Sequence, residues 1–518
     1  MERPTASGPS LFDKASSVWN ESPLASILFI AFLVRLLAVI FSKGYAMHDD
    51  HFLIIEAAQS WVDGADYNNW LPANSDKPSG HSFFYVGLHY IFFRFLEILG
   101  ITEPQTKMYL VRFIHAVYSL SIVYFSYRIT EKLSDVRIAK QVGLLLALFW
   151  ILPMFSVRNM VEFICIPPML FALWTFVKHE DNLHVKHFII AGLVAGISLA
   201  FRIHSVLFLA GIGLYLLYKK EVVGGLLFGA FVFVSFFLSQ LTDLFTWGYL
   251  FAEVREYIEY NLAHAATYFN APWYNYILMV VGFLIPPISF FLIFGFFRDW
   301  KRHLIIIIPV ALFFIFHSWH PNKQERFIMP VLPFIIILGT IGWQRFLDHS
   351  EFWKKRMRLY RSFWIFFWTV NLALGILFTF SYHKKARIQG MEFLGQQSDF
   401  VNIIVESTHT DRPIQLPRFY SKSWNSHVVL DQGVSYEAIN HILEMAHPSN
   451  GPNYLIALEN KNIDERISNF ESKVCKLEKV AYFEPGIYDS FIHWLNPVNR
   501  NETCTIYKLI LSQPDETL

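Results

Sequence analysis

Two adjacent carboxylates, Asp49 and Asp50, follow the first long apolar run of the chain, in the stretch "AMHDDHFLIIE". Ionisable residues at the boundary of a membrane are costly to place and tend to be functional. Partly desolvated neighbouring acids raise each other's pKa, which suits a general base. Glu56 follows on the same side of a short helix. The alternative is a solvated helix end, where acids often collect.

Two cations, Lys323 and Arg326, stand in "SWHPNKQERFIMPVLPF" at the end of a later apolar run, with His320 and Glu325 beside them. An arginine fork suits a phosphate, and a lysine supplies a point charge. A lipid-carrier phosphate is therefore a reasonable ligand, and Arg202, between two short apolar runs, is a further candidate for it. The alternatives are cations that reach toward lipid headgroups and an arginine that caps a turn.

The segment 242–273 combines Asp243 and several other acids with many aromatic residues. Carboxylates, amides and aromatic faces commonly hold sugars, so the composition suits a carbohydrate. Tryptophan and tyrosine also form ordinary belts at membrane interfaces, which is the alternative.

The composition indicates the elements that must position these residues. The 518 residues are 54% hydrophobic and 18% aromatic, and only 16% are charged, against about 25% in soluble domains. A soluble core cannot bury so much apolar surface, whereas the lipid of a membrane can cover it. The net charge of +1 offers no basic surplus for nucleic acid. The sequence predicts a polytopic α-helical membrane protein.

About eleven apolar segments approach the length of roughly 20 residues that spans a bilayer. The polar residues 1–23 before them form a predicted cytoplasmic N-terminal segment, and residues 24–380 form the predicted membrane domain. The candidate spans are 24–42, 111–129, 142–157, 161–177, 188–201, 203–218, 223–241, 274–297, 304–319, 327–346 and 362–380.

Basic residues decide the orientation, because cytoplasmic loops carry excess Lys and Arg. With eleven spans, all five basic loops fall on the cytoplasmic side; these are 131–141, 178–187, 219–220, 298–303 and 354–361. A further span at 81–101 would invert every later loop. We therefore predict that 81–101 lies in the outer interface, within a first outward loop, 43–110. The candidate site residues then share the non-cytosolic face, where we expect the early acids and the later cations to meet in one pocket.

The chain changes character after Phe380. Five β-like stretches alternate with turn residues, which predicts a soluble mixed α/β domain over 381–518. Its cysteines, Cys475 and Cys504, either form a disulfide or stay free. The stretches are "VNIIVE", "HVVLD", "NYLIAL", "VCKLEKVAYF" and "CTIYKLIL".

The ordered motifs of residues 24–346 resemble those of glycosyltransferase family 22, the Alg9-like mannosyltransferases of the GT-C superfamily. "HDDHFLIIE" matches the family's acid pair and downstream acid, although His48 replaces a proline and Asp50 a glutamate. "DLFTWGYL", with Asp243 and Trp247, and "TYFNAPWYNYI", with Trp273, match two aromatic motifs, and Asn261 stands between them. "HPNKQERF" matches a later His-Lys-Glu-x-Arg-Phe motif, although Asn322 occupies the position of its histidine and Gln324 that of its glutamate.

This resemblance implies a GT-C bundle and a metal-independent, inverting transfer of mannose, with no cofactor. The donor would be a polyprenyl-phosphate sugar, and the acceptor a glycan or glycolipid. Asp49, or else Asp50, would be the base, while Lys323, Arg326, Arg202 and His320 would bind the donor phosphate. The remaining candidates would contact acceptor or sugar; they are Glu56, Asp243, Trp247, Asn261, Trp273 and Glu325.

Two other functions fit the same residues. A transporter or flippase of lipid-linked sugars would also use many helices and intramembrane charges, although the chain shows no inverted repeat. A GT-C enzyme with another donor sugar would carry the same motifs. The membrane would be the endoplasmic reticulum in a eukaryote and the inner membrane in a bacterium, with the site and the C-terminal domain non-cytosolic.

Overall fold

The computed structural model describes residues 19–265, 267, 270–408, 414–430, 434–445 and 450–511, so most of the predicted N-terminal segment lies outside them. The chain divides into two compact units. The helical unit consists of the chain as far as Val39, with Ser79–Tyr85 and Val111–Thr379. The mixed unit consists of Ile40–Pro78, Val86–Leu110 and the chain from Phe380 onward. The predicted first outward loop, 43–110, is thus shared between the units.

Helices cover all eleven predicted spans. Within the described ranges, six are long and apolar enough to cross a membrane, and a seventh counts if a pair bent by 116° is one span. Three shorter apolar helices are Val185–Phe201, Ser205–Tyr218 and Leu304–Trp319. The six are Pro23–Phe41, Pro104–Leu133, Val161–Lys178, Val222–Trp247, Glu325–His349 and Met357–Thr379. A polytopic helical architecture is confirmed, whereas the count of eleven is not reproduced by these criteria.

Two predicted spans are broken. The segment 142–157 is divided between Val136–Leu148 and Leu152–Phe155, and 274–297 between Asn275–Phe283 and Ile288–Arg298. Pro286 and Pro287 lie at the second break, where the missing N–H donors end the helix. Leu241–Trp247 is the last part of the span Val222–Trp247, and the 3₁₀ turn Glu325–Val331 is the first part of Glu325–His349. The other helices of this unit are Ala252–Ala263 and Glu351–Lys355, with a further 3₁₀ turn at Trp300–Arg302.

Glycines let Ile288–Arg298 pack closely on Leu332–His349, the helix that follows the Lys323 and Arg326 motif. A Cβ on Gly295 would lie 2.1 Å from the carbonyl oxygen of Gly339, and one on Gly342 would lie 2.0 Å from that of Gly295. No side chain fits at such distances, so the two backbones touch directly. This contact fixes the helix that directly follows the cation motif.

The predicted interfacial segment 81–101 forms the helix Phe83–Ile98. One side of this helix is buried through Val86, Phe93 and Leu96, while Ile91 and Ile98 are 65% and 78% exposed. At 16 residues it is about 24 Å long, short for a bilayer. A helix with one buried side and one exposed apolar side fits a membrane interface, and its place there stays a prediction.

The mixed unit contains a five-stranded sheet in the order β2-β1-β3-β5-β4. The strands are β1 (Ile403–Glu406), β2 (Val428–Val429), β3 (Tyr454–Leu458), β4 (Lys476–Phe483) and β5 (Cys504–Ile510). β1 pairs in parallel with β2 and β3, whereas β5 is antiparallel to β3 and β4. The helices are His48–His51, Ala57–Val62, Lys385–Gly395, Arg418–Ser421, Tyr436–Met445, Ile463–Lys473 and Ile487–Leu495, with a π-helix at Phe52–Glu56.

The two cysteines of the C-terminal region are both free. Cys504 begins β5 opposite Phe483 at the end of β4, whereas Cys475 precedes Lys476 at the other end of β4. Seven residues of strand separate these ends, about 23 Å, well beyond the reach of a disulfide. Of the two alternatives left open by the sequence, the structure selects the free thiols.

Candidate active site

The acid pair lies on the single turn His48–His51 in the mixed unit. Asp50 is buried, and its two carboxylate oxygens accept the backbone N–H groups of Ala46 and Met47, each at 3.2 Å. Asp50 therefore holds the chain that enters the turn. Asp49 is half-buried. The structure places the two acids in different surroundings, and the role of Asp49 as the base stays a prediction.

Glu56 is fully buried at the end of the π-helix that follows the acid pair. Its Oε1 lies 3.3 Å from His51 Nε2 and accepts the backbone N–H of Phe419 at 3.0 Å. The His51 ring stacks on Tyr420 at a centroid distance of 5.5 Å and an angle of 9°. The helix Arg418–Ser421 of the C-terminal region thus clamps the element that carries the acids. π-Helical turns are frequent at functional sites.

Glu56→Ala is expected to lower the free energy of unfolding by about 1–3 kcal/mol, because it leaves the buried N–H of Phe419 without its acceptor. The purified protein's thermal unfolding, followed by tryptophan fluorescence, measures the effect. Glu56→Gln retains an acceptor oxygen and should lose less. Equal stability of Glu56→Ala and the parent protein would contradict the clamp.

Three charged side chains from distant parts of the helical unit form a buried cluster. Glu162 Oε1 lies 2.8 Å from Arg202 Nη1 and 3.3 Å from Arg326 Nε. The Phe327 ring lies beneath both guanidinium groups, at 4.7 and 5.5 Å from their central carbons. The Glu162 side chain is 1% exposed. Two cations around one carboxylate leave a net positive charge, so the cluster is suited to an anion.

Arg202 retains hydrogen-bonding capacity in this cluster. Its Nε and Nη2 are buried and have no hydrogen-bond partner among the residues that the structure describes. A buried N–H group of a charged side chain costs free energy when it has no hydrogen-bond acceptor. A phosphate oxygen would supply that acceptor. The cluster therefore fits the donor phosphate predicted for Arg202 and Arg326.

Lys323 and His320 lie on the loop before the same motif. The Lys323 ammonium donates to the His320 carbonyl and lies 5.7 Å from the centre of the Tyr276 ring. Burial lowers the pKa of both Lys323 and His320 below their ordinary values. A bound anion would favour the charged form of each side chain and oppose this shift.

The aromatic motif that contains Trp273 is joined to this loop. Asn270 and Asn322 form an isolated antiparallel β-bridge. The backbone N–H of Ala271 donates to the carbonyl of Pro321 at 3.3 Å. The Tyr276 hydroxyl donates to the carbonyl of Gln324 at 3.1 Å. The structure therefore brings together two motifs that the sequence separates by about fifty residues. Tyr268 and Phe269 of the motif lie outside the described residues.

Asp243 and Trp247 converge on a residue that sequence reasoning did not single out, Glu253. Asp243 is buried and accepts the backbone N–H of Glu253 at 3.0 Å, and the Trp247 indole donates to Glu253 Oε1 at 2.8 Å. Glu253 Oε2 accepts hydrogen bonds from the Ser79 hydroxyl at 2.8 Å and from the backbone N–H of Gly80 at 2.7 Å. Burial raises the pKa of Glu253 above its ordinary value. This network fixes the fold locally, and sugar contact by Asp243 or Trp247 stays a prediction.

The other predicted sugar contacts are placed differently. The Asn261 side chain donates to the carbonyl of Tyr257 in its own helix at 2.8 Å. Trp273 and Glu325 are exposed. Glu162, which is not among the site residues predicted from the sequence, lies at the centre of the cation cluster. A lone acid at the start of an apolar run, four residues after Arg158, was the available signal.

The acid pair and the cation cluster lie in different compact units, and the shared pocket expected from the sequence stays a prediction. Among the residues described, no group of three or more His, Cys, Asp or Glu side chains is arranged to hold a metal ion.

Comparison with known proteins finds two mannosyltransferases whose sequences are similar to this chain. The mouse protein "Alpha-1,2-mannosyltransferase ALG9" is 23% identical over 391 residues, which cover 72% of this chain and 62% of the mouse protein. The chain thus spans less than two thirds of that relative. "GPI mannosyltransferase 3" of Candida albicans is 23% identical over 423 residues, which cover 79% of this chain and 80% of the relative.

The structure of ArnT from Cupriavidus metallidurans bound to undecaprenyl phosphate has a TM-score of 0.57 at 11% identity, over 96% of this chain and 100% of ArnT. This likeness confirms the predicted GT-C fold. The model of the Alg9-like mannosyltransferase family matches residues 26–415, three quarters of the chain. The chain therefore belongs to the Alg9-like mannosyltransferase family.

Proposed function

We propose that this protein is a membrane glycosyltransferase that moves mannose from a polyprenyl-phosphate carrier to a hydroxyl of a glycan or glycolipid. The observation that carries the proposal is the buried cluster of Arg202, Arg326 and Glu162, in a chain of a mannosyltransferase family. Its net positive charge and the unmet donors of Arg202 suit a phosphate that leaves during the reaction. The related fold of ArnT holds undecaprenyl phosphate, a ligand of the same chemistry.

The proposed reaction is a single displacement with inversion. Asp49 accepts the proton of the acceptor hydroxyl as its oxygen attacks the anomeric carbon. The bond from that carbon to the phosphate oxygen breaks on the opposite face, and the lipid phosphate leaves with both electrons. Arg202 and Arg326, assisted by Lys323 and His320, stabilise the charge that develops on the phosphate. The residues thereby supply a base and an electrostatic clamp without a cofactor.

The distribution of basic loops supports a non-cytosolic site and C-terminal region. In a eukaryote this face is the lumen of the endoplasmic reticulum, and in a bacterium it is the outer face of the inner membrane. The exposed apolar side of Phe83–Ile98 supports a place for this helix in the interface, where it would guide the lipid tail.

A transfer assay with purified protein tests the proposed function. Radiolabelled polyprenyl-phosphate mannose is supplied with a lipid-linked mannosyl acceptor in detergent, and the product is analysed for a new glycosidic bond. Polyprenyl-phosphate glucose and arabinose are the matched donor controls. Equal transfer from another sugar would reject mannose as the specific donor. Movement of label across sealed vesicles without bond formation would reject the enzyme.

A further inference from the structure

A cavity of about 380 Å³ lies within the mixed unit, and none of the site residues predicted from the sequence lines it. Small-molecule sites typically measure about 300–1,000 Å³, so the cavity has room for about one or two hexose units. Its walls come from the segment before the acid pair, the start of Pro104–Leu133 and the C-terminal region. All of these segments belong to the same compact unit.

The helix Lys385–Gly395 supplies the polar wall. Gln389, Glu392 and Gln396 line the cavity at a spacing of three and then four residues, which places them on one helix face. The Gln105 amide, from another wall, donates to Glu392 Oε1 at 2.7 Å. This bond holds the Glu392 carboxylate in place at the wall of the cavity.

Aromatic rings supply the remaining walls. Tyr109, Tyr382 and Tyr420 line the cavity. The Lys43 ammonium lies 5.4 Å from the centre of the Tyr109 ring and 5.8 Å from that of Tyr382, where cation–π attraction holds it. Lys43 thus lies at the cavity wall beside two aromatic rings.

Gly395 permits the close approach that shapes the cavity. A Cβ at this position would lie 2.7 Å from the Tyr420 carbonyl oxygen and 3.0 Å from the Ser421 Cα. Only glycine lets the segment around Tyr420 lie against the end of the helix. The wall formed by Tyr420 therefore depends on the absence of a side chain at residue 395.

The lining has a balanced charge. It contains two lysines, two glutamates, three glutamines and three tyrosines; these are Lys43, Lys422, Glu103, Glu392, Gln105, Gln389, Gln396, Tyr109, Tyr382 and Tyr420. Amides and phenols both donate and accept hydrogen bonds, as sugar hydroxyls do. Tyrosine rings offer flat apolar surfaces to the C–H face of a pyranose. A neutral sugar matches this set better than an anion, since the two lysines and two glutamates leave no net charge to attract an anion.

The cavity adjoins the element that bears the acid pair. Tyr420, which forms one wall, stacks on His51 of the turn His48–His51, and Lys43 precedes Asp49 by six residues in the chain. We propose that this cavity binds a hexose unit of the acceptor glycan and so directs the acceptor hydroxyl toward the acid pair. This assignment rests on the proposed function, since it names the acceptor subsite of that reaction.

Acceptor kinetics of the double variant Gln389→Ala, Glu392→Gln test the assignment. Removal of binding that is equal in the ground state and the transition state raises KM without lowering kcat. We expect KM for the mannosyl acceptor to rise about tenfold or more, with kcat and donor KM unchanged. Glu437→Gln, the same charge change on an exposed helix of the same unit, is the control. An unchanged acceptor KM in the double variant would overturn the proposal.

Direct binding separates this inference from the proposed function. Saturation-transfer NMR with α-linked mannobiose, on the full-length protein in detergent without donor, should give a signal that the double variant loses and Glu437→Gln retains. A signal retained by the double variant, no signal from the parent protein, or displacement by inorganic phosphate would each reject the sugar site. Binding without any transfer by the parent protein would reject the transferase and leave the sugar site supported.

Discussion

Asp49→Asn is expected to lower kcat for sugar transfer by about 10²–10⁴-fold, the usual contribution of a general base. Asn has nearly the shape of Asp but cannot accept the proton of the acceptor hydroxyl. Asp49 is half-buried and Asp50 ties down the backbone of the turn, so the loss of charge at Asp49 should spare the fold. Single-turnover transfer with saturating polyprenyl-phosphate mannose measures the chemical step, and thermal unfolding checks stability.

Asp50→Asn is the matched comparison. It retains one acceptor oxygen but loses one of the two bonds to the N–H groups of Ala46 and Met47. We expect a lower unfolding temperature together with reduced transfer, in contrast to Asp49→Asn, which should affect transfer alone. Near-normal transfer by both variants would remove the acid pair from the chemistry.

Arg202→Met is expected to lower kcat/KM for the lipid-phosphate donor by about 10²–10³-fold, the usual effect of losing a preorganised donor to a developing anion. The loss should lie mainly in kcat if Arg202 acts on the departing phosphate, and in KM if it binds the ground state. Glu162 retains Arg326 at 3.3 Å as its counter-ion. The variant should therefore fold, because it leaves no isolated buried charge.

The control for this prediction is Arg255→Met. Arg255 pairs with Glu259 in the same helical unit, but its side chain is 77% exposed, and exposed pairs contribute little. It should retain parental kinetics. A parental donor kcat/KM for Arg202→Met would contradict the phosphate assignment, whereas loss of folding in Arg202→Met would assign the cluster to stability.

Local patterns in the sequence predicted the strands of the C-terminal region and the helices of the membrane domain. All five β-like stretches of the C-terminal region form strands, because alternation and turn residues are properties of short segments. The apolar segments are helical for a comparable reason, since a chain in lipid must satisfy its backbone hydrogen bonds within each helix. The helix Phe83–Ile98 lies in the segment 81–101, which the distribution of basic loops had set apart from the spans. Hydropathy was less able to count the spans, because breaks at prolines and short helices do not change the local composition.

The family was also accessible from the sequence. The acid pair, the aromatic motifs and the Lys-x-x-Arg motif occur in a fixed order, and order along a chain requires no coordinates. The roles within each motif did not follow in the same way. Asp50 and Asp49 are adjacent and chemically alike, yet only the backbone around Ala46 and Met47 distinguishes them.

Tertiary structure alone decided the pairings between distant residues. Glu162 meets Arg202 and Arg326 although they are far apart in the chain, and Glu56 is held by a residue of the C-terminal region. The opposite ends of β4 keep Cys475 and Cys504 apart. Composition and periodicity specify which elements form and which surfaces they bury. Packing determines which buried charge finds which partner, because the cost of an unpaired charge depends on what lies within a few ångströms of it, whatever the separation in sequence.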